Sequence, residues 1–184
     1  MANFTDEIRT ELIKNFSGGR EVCLAALSAF MRTGGSLIRT GGSYGFELAT
    51  ESELTAHFLA DMLENVFSTE ISDFSSRSDL ASGRDKLVFS CVNGNGTALL
   101  REMGVLGEDK DGLYVDFSVG SFIVSGEGCA EAFVKGAFLG GGSCTQPDPD
   151  GASTTGYHFH EVFRNKTTAA DFCEILCSFD VLAK

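Results

Sequence analysis

An α+β fold of two pseudo-two-fold related lobes, each in the order αββαββα with the second cut short, is what this 184-residue sequence predicts. Three observations predict it. Two alanine-rich apolar segments each end in a glycine and serine run. Alternating strand patterns follow each of them. Corresponding residues in the two halves also keep a nearly constant separation.

The elements follow in chain order. Thr5 is placed to cap a first helix, with Asp6 and Glu7 at the positive end of its dipole and Ile8 and Leu12 on one face. Ser17, Gly18 and Gly19 end it. A second helix over 21–33 is apolar nearly all round, from Val22 to Met31, so it should be central and buried. Gly34, Gly35 and Ser36 stop it. Leu37 and Ile38 open a strand, Gly41 and Gly42 turn the chain, and Tyr44, Phe46 and Leu48 alternate on the return. Thr50 with Glu53 reads as a capping box for a helix to residue 67, whose stripe is Leu54, Phe58, Leu59, Met62, Leu63 and Val66. Strands over 70–74 and 87–92 are joined by a polar turn, 75–84, and a short helix over 97–103 closes the lobe. Residues 104–125 read as an irregular connection with one strand near 114–117. The order then restarts with a helix over 127–139, a loop containing Pro147 and Pro149, a strand over 157–163 and a helix over 167–177. The domain reading is therefore 1–103, 104–125 and 126–184.

The repeat fixes the pairing of the halves. Phe30 to Ser36 corresponds to Ala137 to Ser143, 107 positions on (36 to 143). Tyr44 and Phe46 correspond to Tyr157 and Phe159 at 113 (44 to 157), and the same offset matches Leu59, Met62 and Leu63 with Phe172, Ile175 and Leu176. The second hairpin loop is six residues longer. Counterparts of 72–103 are missing, so either the sequence is a piece of a longer protein, which is the favoured expectation, or the second lobe is truncated by nature.

Composition narrows the function. Hydrophobic residues make up 43%, which excludes a disordered chain. A net charge of −12, with 26 acids against 14 bases, argues against tight non-specific binding to duplex phosphates. No apolar run reaches the ~20 residues of a membrane span, and no secretory signal opens the chain. The six cysteines are expected to be reduced thiols in the cytosol, and no CxxC pair supports a zinc ribbon.

The segments 134–143 (Val-Lys-Gly-Ala-Phe-Leu-Gly-Gly-Gly-Ser) and 27–36 (Leu-Ser-Ala-Phe-Met-Arg-Thr-Gly-Gly-Ser) resemble the paired helices of LAGLIDADG homing endonucleases. With the opening Asn3 to Leu12, and with 25–37 and 133–143, the chain resembles the WhiA family of bacterial sporulation and cell-division transcription regulators. The resemblance implies a LAGLIDADG homing-endonuclease-like fold in which the two helices pack at a shared axis. Gly34, Gly35, Gly141, Gly142, Ala29 and Ala137 would permit that close inter-lobe packing. In active LAGLIDADG enzymes the residue before the last glycine of each motif is an acid that holds a divalent metal. Gly34 and Gly141 stand there in this chain and offer no side-chain oxygen. No DNA cleavage, no catalytic residue, no metal and no cofactor are therefore expected. The glycines are also expected to supply left-handed backbone geometry at the helix ends. By the same resemblance, DNA is bound mainly through a C-terminal helix-turn-helix domain outside this sequence, in the bacterial cytoplasm at the nucleoid.

Other constellations are weaker. Cys173 and Cys177, with His158 and His160, form an imaginable metal set, but the cysteines read as core thiols. Gly94 to Thr97 reads as a turn and cap rather than a phosphate loop. Arg32, Arg39, Arg77, Arg84 and Lys86 are candidates for a DNA or partner contact, with scattered surface cations as the default. A nuclease using displaced acids such as Asp148 or Glu127 is the enzyme alternative. A regulatory protein partner and self-association through an exposed sheet edge of the second lobe are the remaining expectations.

Overall fold

The computed structural model describes residues 4–41, 43–78, 83–92, 95–146 and 156–183. Gly42, Gly94, Pro147, Asp148, Pro149 and Lys184, along with part of the predicted 75–84 turn, lie outside the described residues.

Helix α1 (Phe4–Lys14) precedes the long apolar helix α2 (Arg20–Gly34), in which nine residues, among them Ala25, Ala26, Leu27, Ala29 and Phe30, are buried. A hairpin follows, β1 (Gly35–Thr40) and β2 (Ser43–Thr50), with Phe46 and Leu48 of β2 completely inaccessible. Helix α3 (Glu53–Asp61) continues into a π-helical turn, Met62–Val66. Then come β3 (Asp73–Ser78), β4 (Asp85–Cys91) and α4 (Gly96–Glu102), completing an αββαββα unit. The four strands form one antiparallel sheet in the order β1-β2-β4-β3. In the second half, α6 (Cys129–Gly141), β7 (Ser143–Thr145), β8 (His158–His160) and α7 (Lys166–Cys177) repeat the first four elements, with β7 and β8 paired antiparallel.

The link between the halves is more ordered than expected. It holds a hairpin, β5 (Leu106–Asp109) with β6 (Gly112–Val115), and a one-turn helix, α5 (Ser121–Val124). Both halves grip it. From α2, the Ser28 hydroxyl donates to the Met103 carbonyl at 2.7 Å, and Arg32 donates to Gly104 O and Ser118 O at 2.9 and 2.7 Å. From α7, the Thr168 hydroxyl donates to Phe117 O, and the Asp171 carboxylate accepts from Val119 N–H.

Several local expectations are corrected. Thr5 lies inside α1 rather than capping it. Its hydroxyl instead donates to Cys144 O and accepts from Cys144 N–H, both at 3.0 Å, tying α1 to β7. Ser52, not Thr50, caps α3, because its hydroxyl is the one that accepts the Thr55 N–H. The strand placed at 70–74 starts at Asp73 and runs through residues given to a turn. It is an exposed edge strand with no buried alternation to reveal it. Cys173 and Cys177 are exposed, not core thiols, because α7 buries Thr168, Phe172, Ile175 and Leu176 and its other face is uncovered. The glycines after the two apolar helices are extended rather than left-handed, with φ −101° at Gly35 and −79° at Gly142. Packing, not backbone sign, explains them.

Candidate functional site

The site is where α2 and α6 meet, the most extensive contact between any two helices of the fold. Small residues bring their backbones together. A Cβ on Gly136 would sit 2.1 Å from the Ala26 carbonyl oxygen, and one on Gly140 would sit 2.0 Å from Thr33 Oγ1. Neither space exists for a side chain. Ala29 and Ala137 are fully buried in the same region. At the helix ends, a Cβ on Gly34 would lie 3.1 Å from the Gly140 carbonyl oxygen, so the two termini stand side by side. Gly35 and Gly142 are equivalent in their own packing. A Cβ on either would strike the residue one turn earlier, Met31 or Phe138.

The spaces beside Gly34 and Gly141 are filled differently. The Phe30 ring occupies the space beside Gly34, 2.9 Å from where a Cβ would be. Beside Gly141 it is a carboxylate, Glu161 Oε1, also at 2.9 Å. Glu161 follows β8 and turns inward. Both of its oxygens are buried with no partner at full hydrogen-bond geometry among the described residues. Burial pushes its carboxyl up to about 8, against weaker opposing pulls from the Val162 N–H and the Arg9 charge. At neutral pH this acid therefore holds its proton. Among the described residues no three His, Cys, Asp or Glu side chains converge as a metal-ligand set.

A cavity of about 330 Å³ opens over the helix ends. Its walls come from α1 (Thr5, Arg9), the helix ends (Thr33, Gly34, Gly140), β2 and the turn after it (Thr50, Glu51), the start of β4 (Arg84, Lys86) and Arg164 before α7. Arg9 donates to Gly142 O at 3.0 Å and pairs with Asp6 at 3.3 Å. Arg84 pairs with Glu51 at 3.0 Å. Arg164 donates to Gly35 O at 2.9 Å and to Ser36 Oγ at 3.3 Å.

Of the five cations singled out from sequence, Arg84 and Lys86 line this cavity and three do not. Arg32 turns inward and is held by backbone carbonyls, and loss of hydration lowers its pKa to about 10. Arg39 lies over the Tyr44 ring, and Arg77 pairs with Glu47 at 2.8 Å. Glu127 is exposed at the opposite end of α6 from Gly141, about 20 Å away at ~1.5 Å per residue. His158 and His160 are exposed on β8. Sequence reasoning missed Arg9, Glu161 and Arg164. The only signal was an acid and a base, Glu161 and Arg164, immediately after a repeated strand.

Two family models match the chain, one described as the WhiA N-terminal LAGLIDADG-like domain over residues 20–106 and one as the WhiA LAGLIDADG-like domain over 130–184. Among curated proteins, the chain is 26% identical over 184 residues to a protein of Clostridium botulinum named probable cell division protein WhiA, covering 99% of this chain and 56% of that protein. The WhiA of Clostridium novyi gives the same identity and coverage. That of Clostridium perfringens is 24% identical over 183 residues. The chain thus spans 56% of the length of these relatives. A crystal structure of the N-terminal LAGLIDADG domain of a WhiA protein matches with a TM-score of 0.69 at 17% identity, covering 100% of this chain and 78% of that one. The full-length WhiA of Thermatoga maritima matches with 0.67 at 18% identity, covering 53% of that chain. At these identities the structural likeness is one of fold.

Proposed function

The chain belongs to the WhiA family and carries its LAGLIDADG-like fold, and from that premise we propose that it is a non-cleaving regulatory module of a DNA-binding transcription regulator of sporulation and cell division. The observation that carries this reading is the pair of helix ends. Neither α2 nor α6 presents a carboxylate where they meet, and the acid that lies against Gly141, Glu161, is buried and protonated at neutral pH. Metal-assisted phosphodiester cleavage needs charged oxygen ligands at the scissile phosphate. Here glycine and a phenylalanine ring take their place.

Regulation then works through protein contacts or an accessory DNA contact, with the main DNA contact made by a helix-turn-helix domain of the whole regulator and a location at the nucleoid following from that role. The net charge of −12 favours protein contacts over phosphate contacts. Glu161 is also what favours the second reading, a nuclease with a relocated acid. Supercoiled plasmid incubated with the protein and Mg²⁺ or Mn²⁺ separates the two. The expected result is intact plasmid. Nicking by the native chain that disappears in Glu161→Ala would establish the nuclease instead.

A further inference from the structure

The cavity over the helix ends concentrates positive charge on an otherwise acidic molecule. Four of the 14 basic residues, Arg9, Arg84, Lys86 and Arg164, line it, against one acid, Glu51. They come from α1, the start of β4 and the segment before α7, so only the fold brings them together. Its volume, about 330 Å³, is of the class that encloses a small molecule rather than a groove that accepts a helix of nucleic acid.

We infer that this cavity is a binding site for a small phosphate-bearing anion, held between the guanidinium groups of Arg9, Arg84 and Arg164 and the ammonium of Lys86. Arginine forks match phosphate oxygens two at a time, and a concave wall in which one sign of charge predominates focuses its field on the enclosed space. Arg164 is the best placed to respond. Its described hydrogen bonds go to a backbone carbonyl and a serine hydroxyl, not to a carboxylate, so its charge is open to an incoming anion. Arg9 and Arg84 are held in position by Asp6 and Glu51.

The overall charge decides between a compact anion and a duplex. Duplex DNA must lie across a broad surface and release counterions at many phosphates, and a net charge of −12 opposes that. A compact anion meets only the local field. Because the walls include both halves of the fold, an occupant ties α1 and β4 to the segment that leads into α7. The site would serve as an effector site for the regulatory role proposed above, but its chemistry stands without that role.

Inorganic pyrophosphate is the probe. Calorimetric titration of the 184-residue chain at low salt is expected to show saturable binding at a single site. Arg164→Ala and, separately, Lys86→Gln should each weaken it by about tenfold, the scale of one lost charge-assisted hydrogen bond. Lys110→Ala, outside the cavity, should leave it unchanged. Circular dichroism confirms that the variants are folded, and Lys86→Gln keeps the test decisive if loss of Arg164 disturbs β1. Sodium sulfate at matched ionic strength and a 20-base-pair duplex form the comparison arms. Pyrophosphate binding that is absent, indifferent to both cavity variants, or reproduced equally by sulfate would overturn the assignment. Duplex binding tighter than pyrophosphate and weakened by the same variants would also overturn it, in favour of a DNA contact. Failure in any arm leaves the plasmid result unaffected.

Discussion

Glu161 shows how far one residue's chemistry departs from its type. An unfolded glutamic acid releases its proton near 4.5, whereas here burial holds it to about 8. Between those values the folded chain binds more protons than the unfolded one. The Glu161 contribution to stability is therefore fullest below about pH 4.5, declines as pH rises to about 8, and is level above. Glu161→Gln, permanently neutral and of the same shape, removes that decline. The difference in melting temperature between Glu161→Gln and the native chain should grow in favour of the variant from pH 5 to pH 9. A difference that stays constant with pH would mean the acid is not buried as described. Arg32 is the complementary case, a cation turned inward that donates to the Gly104 and Ser118 carbonyls. Neither placement is legible in the sequence, where Arg32 is one base among several and Glu161 falls within the strand expected over 157–163.

At the scale of elements, the α2–α6 pair rests on the absence of side chains at its closest points. Gly136→Ala puts a methyl group against the Ala26 backbone, which cannot rotate away, and should cost about 1–3 kcal/mol. Urea denaturation checks it. Gly19, before α2, has nothing within 4 Å of where a Cβ would be, so Gly19→Ala serves as the steric control. A Gly136→Ala loss no larger than that of the control would show that the helices are not in backbone contact. This pair was readable in advance because the ten consecutive residues Val22 to Met31 of α2 are apolar or small and the helix runs out into Gly-Gly-Ser, a pattern repeated on α6. The elements that were misread are those without such a pattern. β3 is an exposed edge, and β5 and β6 are four residues each, too short to establish a period.

For the whole molecule, two surfaces stand out from the acidic background. One is the cationic cavity. The other is the two-stranded β7–β8 sheet, beside which Tyr157, Phe159 and Val162 are 79%, 42% and 54% exposed. Strand edges and apolar side chains together recruit further strands. Light scattering at high concentration is expected to give a mass above that of the monomer. A mass equal to the monomer at every concentration would remove self-association from the account. The duplication, the buried helix pair and the glycines at positions 34 and 141 were all determined by the sequence alone, because each depends on residue pattern or on residue identity. Tertiary structure alone decided that Arg9, Arg84, Lys86 and Arg164 share one cavity and that Glu161 lies against Gly141. Those residues lie in separate segments, and only packing of the two halves sets the distances between them.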